Sequence, residues 1–123
     1  MKFQDLLAYK KSVDAAMNIF EISKAFPKEE IYSLTDQIRR SSRSVSANIA
    51  ESYRKRIYPK LYTSKLTASD AENSEIQVWL EYAWRCKYLS DELYNKLIQD
   101  SEEIGKLINY MVLHPEKFGV KKE

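Results

Sequence analysis

One stretch decides the fold of this chain: residues 34–56, which read LTDQIRRSSRSVSANIAESYRKR. It contains five of the six arginines and no glycine or proline, so nothing in it interrupts a helix. At helical spacing its side chains fall on three faces: an apolar face, an arginine face and a polar seam. Small serines at 41, 42 and 52 lie beside the apolar face. The apolar face carries Leu34, Ile38, Val45 and Ile49, the arginine face carries Arg39, Arg40, Arg43 and Arg54, and the polar seam carries Gln37, Ser44, Asn48 and Glu51.

Three further helices are predicted from apolar periodicity and helix-breaking residues on either side of this stretch. Pro27 separates it from a first helix, Pro59 suits the first turn of a third, and Ser90 is an N-cap signal for a fourth. The predicted helices cover about residues 5–24, 28–56, 59–88 and 91–113, with a loose tail at 114–123. The start of the second is open between Pro27 and Thr35. This order predicts one all-α domain over residues 1–123, an antiparallel up-down-up-down four-helix bundle.

The inward faces of the other three helices are predicted from the same periodicity. They consist of Leu6, Tyr9, Val13, Ala16, Met17 and Phe20 in the first, Ser69, Glu72, Ile76, Trp79, Leu80 and Ala83 in the third, and Leu93, Leu97, Ser101, Ile104, Ile108 and Met111 in the fourth. Gly105 lowers the stability of the fourth helix and indicates a close helix contact. Glu72 and Glu75 are expected to reach either the second helix or a neighbouring subunit.

The net charge of +2 hides an uneven distribution along the chain. Residues 35–65 carry eight basic and two acidic side chains, whereas residues 66–123 carry seven basic and eleven acidic ones. A basic middle segment can bind polyanions, pair with the acidic half of its own chain, or contact an acidic partner.

The expected compartment is the cytoplasm. The single cysteine cannot form an internal disulfide. No apolar run reaches the roughly 20 residues of a membrane span, and the N-terminal segment has no signal-peptide pattern. We therefore expect a soluble protein that makes no membrane contact.

No catalytic or metal-binding pattern is recognisable in the sequence. Di-iron bundles need Glu-x-x-His pairs, and the only histidine, His114, lies beside a proline. A helical nuclease with an Arg-x(4–6)-His motif would need an arginine at 107–109, where there is none. The two glycines exclude a phosphate-binding loop. We expect no catalytic residue, no metal and no cofactor, and Cys86 is predicted to pack as a small apolar residue.

Nucleic acid is the remaining ligand class that the residues suggest. The candidate binding residues are Arg39, Arg40, Arg43, Arg54, Lys55 and Arg56. They offer phosphate contacts, and Tyr53 and Tyr58 nearby offer surfaces for stacking. The alternative is that the arginines pair with Glu72, Glu75 or acidic groups of another subunit.

Residues 34–51 closely resemble the signature of the four-helix-bundle family of 23S ribosomal RNA intervening-sequence proteins. The shared residues include Leu-Thr-x-Gln at 34–37, Arg-Arg at 39–40 and Asn-Ile-Ala-Glu at 48–51. The flanks agree as well, with Phe-Gln-Asp-Leu at 3–6, Phe-Pro at 26–27 and Tyr-Leu-Ser at 88–90. Departures are Ser52 for the usual glycine, Tyr9 for tryptophan, Ser41 for alanine, and Ala71-Glu72 for Gly-Ser.

The resemblance implies a fold and an assembly, but no established biochemical role. Family members are encoded in intervening sequences of bacterial 23S ribosomal RNA genes and elsewhere in bacterial genomes. The family is similar to the accessory protein of diversity-generating retroelements, a pentameric barrel that associates with nucleic acid and a reverse transcriptase. By this analogy we expect a homo-oligomer, a pentamer, that binds RNA, DNA or a nucleic-acid enzyme without being an enzyme itself. The polar seam is expected to satisfy polar groups within the bundle or across a subunit joint. The alternative is a protein–protein adaptor whose arginines form subunit or partner interfaces, without nucleic acid.

Overall fold

The computed structural model describes residues 1–121, which fold into four α-helices without a β-strand. The helices are α1 (Leu7–Ser23), α2 (Leu34–Arg54), α3 (Pro59–Arg85) and α4 (Asp91–Leu113), and short 3₁₀ turns occupy Phe3–Asp5, Lys28–Glu30 and Pro115–Phe118. Consecutive helices pack against each other, and α1 closes the ring against α4. The predicted all-α, antiparallel up-down-up-down four-helix bundle is confirmed.

The start of α2 lies within the interval that the sequence left open. α2 begins at Leu34, because residues 28–30 form a separate 3₁₀ turn. The Glu30 carboxylate accepts hydrogen bonds from the Ser33 hydroxyl and the Tyr88 hydroxyl, which lower the pKa of Glu30. It also accepts from the Leu34 amide at 3.5 Å, so an acidic group faces the positive end of the α2 dipole.

The apolar face of α2 lies in the core, as predicted. Leu34, Ile38, Val45 and Ile49 are all buried, and the small residues beside them, Ser41, Ser42 and Ser52, are buried as well. The hydroxyl of Ser69 in α3 donates to the Val45 carbonyl at 2.8 Å. This bond requires the two helix backbones to lie close together, which only small residues at the contact allow.

The predicted inward face of α1 is only partly right, since Leu6 is buried and Tyr9 packs against the core but the other buried positions were missed. The buried residues of α1 and its N-cap are Leu6, Ala8, Ser12, Ile19 and Ser23, whereas Met17 of the predicted face is 55% exposed. Periodicity favoured the larger apolar side chains, but small residues face the core because α1 packs closely on its neighbours. Ser12 and Ser23 satisfy their hydroxyls by donating to carbonyls of their own helix.

The contact between α3 and α4 is built around buried polar groups. The Asn73 side-chain amide donates to the Ser101 carbonyl at 2.8 Å, and the Ser101 hydroxyl donates to the Asn73 side-chain oxygen at 2.9 Å. A Cβ on Gly105 would lie 3.3 Å from the Asn73 amide nitrogen, so the predicted close helix contact at Gly105 is confirmed. In α3 the prediction was right for Ser69, Ile76, Leu80 and Ala83, while Glu72 and Trp79 of the predicted face are only half-buried. The prediction missed the buried Tyr62, Leu66 and Asn73, and in α4 it was right except for exposed Leu93.

Two predictions about the ends of the helices are wrong. The tail is not loose over its described part, because Pro115–Phe118 forms a turn and Val120 is buried. Cys86 is exposed at the C-cap of α3 rather than packed as an apolar residue, because α3 ends at Arg85 and not near 88.

The end of α3 contains a lysine in a left-handed backbone conformation. Lys87 has a φ of 66°, the amide of Tyr88 donates to the Ala83 carbonyl, and the amide of Lys87 donates to the Trp84 carbonyl. This pair of bonds is a Schellman motif, whose left-handed position is usually glycine because a Cβ is strained there.

Replacing Lys87 by glycine should therefore stabilise the protein. Relief of backbone strain, partly offset by the greater freedom of glycine in the unfolded chain, should raise the free energy of unfolding by about 0.5–1 kcal/mol. Urea denaturation followed by circular dichroism measures the change. Lys106→Gly, in the middle of α4, is the control and should destabilise by about 1 kcal/mol. A lower urea midpoint for Lys87→Gly would contradict the strain argument.

Candidate nucleic-acid interface

The outer surface of α2 separates the six predicted nucleic-acid-binding residues into two groups. Arg40, Arg43, Arg54 and Lys55 are exposed, whereas Arg39 and Arg56 are half-buried and hydrogen-bonded within the bundle. The sequence pattern placed all six on one basic segment, but it contained no signal that two of them hold other elements in place.

Arg39 fastens the C-terminal end of α1 to α2. Its Nε donates to the buried Ser23 hydroxyl at 2.8 Å, and an Nη donates to the Phe20 carbonyl at 3.5 Å. The carbonyls in the last turn of a helix lack partners within the helix, and a guanidinium supplies a favourable positive charge there. The same guanidinium lies 4.8 Å from the centre of the Phe20 ring. Arg39 therefore stabilises the packing of α1.

Arg56 connects the end of α2 to the C-terminal turn at Pro115–Phe118. Its Nε donates to the Tyr53 carbonyl at 2.8 Å, and Nη1 donates to the Phe118 carbonyl at 3.2 Å. The guanidinium lies over the Tyr53 ring at 3.7 Å, and a Cβ on Gly119 would come within 3.1 Å of it. The polar bonds and this tight space place the segment after α4 against the end of α2.

Arg43 and Arg54 are exposed and rest on aromatic rings. The Arg43 guanidinium lies 5.6 Å from the centre of the Phe20 ring, and that of Arg54 lies 5.7 Å from the centre of the Phe3 ring. Neither forms a salt bridge with a residue of 1–121. A ring attracts a cation through its face and leaves the N–H groups at the guanidinium edge unused. The sequence placed Phe20 in the core, so this platform was not foreseen.

The side of α2 that faces α3 carries the polar seam. The Asn48 amide donates to the Ser44 carbonyl at 2.9 Å, and Glu51 pairs with Lys65 of α3 at 2.9 Å. Arg40 forms a long salt bridge with Asp36 of the same helix, with 3.7 Å between Nη1 and Oδ2. Three of the four seam residues therefore make polar contacts within the bundle, and Gln37 lines a cavity.

Glu72 of α3 lies across from Arg40. Partial burial raises the pKa of the Glu72 carboxyl above its usual range, the neighbouring Glu75 raises it further, and Arg40 opposes the rise. Neither Glu72 nor Glu75 forms a salt bridge among residues 1–121, so the expected pairing of these acids with α2 is limited to this longer-range attraction.

A cavity at Gln37 lies beside the partly buried Trp79. It has a volume of about 400 Å³ and is lined by Glu30, Tyr32, Ser33, Leu34, Gln37, Trp79, Tyr82 and Cys86. The indole Nε1 of Trp79 is buried and has no hydrogen-bond acceptor among residues 1–121. Tyr32 and Tyr82 are 93% and 56% exposed at its rim. The unpaired N–H costs free energy, but it lies below the surface, so the cavity presents its tyrosine rings to a ligand rather than this donor.

The part of the chain that the structure describes has neither a metal-binding cluster nor a membrane-spanning helix. Within residues 1–121 there is no group of three or more histidine, cysteine, aspartate or glutamate side chains that could hold a metal ion. None of the helices in that range combines the length and apolar character needed to cross a membrane.

Comparisons with known proteins identify one family. The family described as 23S rRNA-intervening sequence protein matches residues 4–110 of the chain. The crystal structure of a protein with unknown function from the S23 ribosomal protein family of Bacteroides thetaiotaomicron superposes with a TM-score of 0.80 at 30% sequence identity. The match covers 92% of this chain and 99% of that one. No curated protein matches the chain.

The structural and the exposed arginines should respond differently to truncation. Arg39→Ala removes two hydrogen bonds and a cation–π contact and should lower the free energy of unfolding by about 2 kcal/mol. Arg43→Ala, the matched control on the same helix, should change it by less than about 0.5 kcal/mol. Urea denaturation measures both. Equal effects of the two substitutions would show that Arg39 does not fasten α1.

Proposed function

Given that the chain belongs to the 23S rRNA-intervening sequence protein family, we propose that it is a non-enzymatic protein that binds nucleic acid, RNA or DNA, through the arginine face of α2. The single observation that carries this proposal is the state of Arg43 and Arg54. Both are exposed, and neither is neutralised by a carboxylate of residues 1–121. Arg40 and Lys55 extend the same exposed surface. Arg39 and Arg56 are instead hydrogen-bonded within the bundle and stabilise the packing of the neighbouring segments.

The aromatic rings beneath Arg43 and Arg54 favour phosphate binding by these two arginines. A guanidinium that rests on a ring has lost part of its conformational freedom before any ligand arrives, so less entropy is lost on binding. Its N–H edge stays available for two parallel hydrogen bonds to a phosphate, the geometry in which arginine exceeds lysine. Phe20 and Phe3 therefore prepare Arg43 and Arg54 for this role.

The spacing of the exposed cations fits an extended polyanion. At a rise of 1.5 Å per residue, Arg40 and Lys55 lie about 22 Å apart along α2. A ligand that contacts both ends must carry several negative charges at intervals, as a nucleic-acid backbone does. A single phosphate or carboxylate would contact only one end of the arginine face.

Salt dependence gives a direct test of this proposal. Four phosphate contacts on single-stranded RNA predict a slope of about −3 for the logarithm of affinity against the logarithm of salt concentration. The double variant Arg43→Gln/Arg54→Gln should reduce that slope by about 1.4 and weaken binding. Fluorescence anisotropy with a labelled single-stranded fragment of 23S ribosomal RNA, at about 50 to 200 mM salt, measures both quantities.

A matched double variant separates the arginine face from net charge. Lys10→Gln/Lys106→Gln removes the same charge from exposed positions on α1 and α4. We expect it to leave the slope within about 0.5 of the unmodified protein. Equal losses in the two double variants, or no binding of RNA or DNA by the unmodified protein, would overturn the proposal.

A second candidate function is a protein contact, and the cavity beside Trp79 favours it. Ile31, Tyr32, Val78 and Tyr82 are all exposed by about half or more, and Tyr32 and Tyr82 lie at the rim of the cavity. A partner with an apolar side chain would cover these exposed rings. We propose a second copy of the chain as the partner, in a closed homo-oligomer such as a pentamer.

Disrupting this apolar surface should change the assembly. Val78→Ser/Tyr82→Ser should reduce an oligomer to monomers, because both side chains would be buried at the joint. Multi-angle light scattering after size-exclusion chromatography measures the molar mass. Leu113→Ser, at an exposed leucine near the C-terminal end of α4, is the control and should leave the mass unchanged. A monomeric unmodified protein at micromolar concentration would count against the protein-contact function.

A further inference from the structure

The turn between α2 and α3 combines unpaired cations with an exposed aromatic side chain. Residues 52–69 contain five basic side chains and no acidic one. Among the exposed cations, Arg54, Lys55 and Lys60 form no salt bridge with any residue of 1–121. Ile57 and Tyr58, between them, are 79% and 56% exposed. Because Tyr58 is more than half exposed, its ring is not required by the core and is accessible to a ligand beside these cations.

The backbone holds Tyr58 in a fixed position. Its amide donates to the Lys55 carbonyl at 2.9 Å, and its own carbonyl accepts from the Tyr62 amide at 2.9 Å. Pro59 follows as the first residue of α3, with its φ restricted by the ring. The side chain of Tyr58 thus starts from a rigid N-cap position, and only its two side-chain torsions need to be ordered when a ligand binds.

The combination of residues selects unpaired nucleotides rather than a duplex. Bases inside a duplex are stacked on each other and expose only their edges, so a tyrosine ring gains little from them. An unpaired base can stack on the ring while its phosphates reach flanking cations, and such stacking tolerates any base. A carboxylate nearby would oppose this arrangement, and residues 52–69 contain none.

We propose that the α2–α3 turn is a site for single-stranded nucleic acid, in which a base stacks on Tyr58 and adjacent phosphates contact Lys55 and Lys60. The inference rests on the proposed nucleic-acid-binding function and assigns the class of ligand. The arginine face of α2 would continue the path of the backbone, because Arg54 and Lys55 lie at the end of that helix. Loops, bulges and strand ends of a folded RNA would be the preferred targets.

The test compares a single strand with a duplex. The probes are a labelled single-stranded RNA of about 12 nucleotides, within the usual site sizes, and the blunt duplex formed with its complement. We expect tighter binding of the single strand. Tyr58→Ala should weaken single-strand binding at least about fivefold and duplex binding less than about twofold, whereas Tyr58→Phe should retain single-strand affinity because the ring remains.

Two controls identify what the turn contributes. Ile57→Ala removes an exposed apolar side chain from the same turn without removing a ring and should not change RNA affinity. Trp84→Ala removes an exposed aromatic side chain at the opposite end of α3, outside both the basic run and the Trp79 cavity, and should not change it either. Circular dichroism and light scattering check that each variant keeps its fold and its oligomeric state.

The outcomes separate this inference from the function on which it rests. If Tyr58→Ala leaves single-strand affinity unchanged while Arg43→Gln/Arg54→Gln still weakens it, the stacking site is wrong and the nucleic-acid function stands. If the unmodified protein binds neither probe, the proposed function itself fails. If Ile57→Ala and Tyr58→Ala both change the molar mass without changing RNA affinity, the turn is a protein contact and the inference is overturned.

Discussion

The close approach of α2 to its neighbours is the constraint on which the rest of the structure depends. Ser69 reaches the Val45 carbonyl across the α2–α3 contact, and Ser41, Ser42 and Ser52 leave room for the surrounding backbones. A helix buried this closely on one side has space for long side chains only on the other. The arginines accordingly lie on the outside of α2, where their guanidinium groups meet aromatic rings, helix ends or solvent.

The arginines of one short segment therefore have two different roles. Arg39 and Arg56 donate hydrogen bonds to backbone carbonyls of α1 and of the C-terminal turn, respectively. A planar guanidinium with five N–H donors can satisfy several acceptors at once. Arg43 and Arg54 use only the ring-facing side of their guanidinium groups. This division separates residues that maintain the fold from residues that are available to a ligand, although all four look alike in the sequence.

The sequence was informative where a helix has one strongly apolar face and uninformative where small polar residues occupy the core. Most of the inward faces of α2 and α4 was predicted, because Ile38, Ile49, Leu97 and Ile108 stand out at helical spacing, but Tyr53, expected to offer a stacking surface, is buried. Most of the face of α1 was missed, because Ala8 and Ser12 carry little hydrophobic signal. The partners of Arg39 and Arg56 could not be predicted, since both contacts join residues that are distant along the chain. The same holds for the Trp79 cavity, where residues of α2 and α3 meet only after folding.

The hydrogen bond from Arg56 to the Phe118 carbonyl joins two segments that are far apart along the chain and therefore affects the order of folding. The four helices form successive antiparallel neighbours, so most of their contacts join nearby parts of the chain and can form rapidly. The bond from Arg56 to the Phe118 carbonyl instead spans 62 residues. Closing so long a loop early would cost entropy that one hydrogen bond does not return. We therefore expect the contact between Arg56 and Phe118 to form only after α2, α3 and α4 have packed together. The backbone amides of residues 116–120 should accordingly exchange with solvent before those of α3.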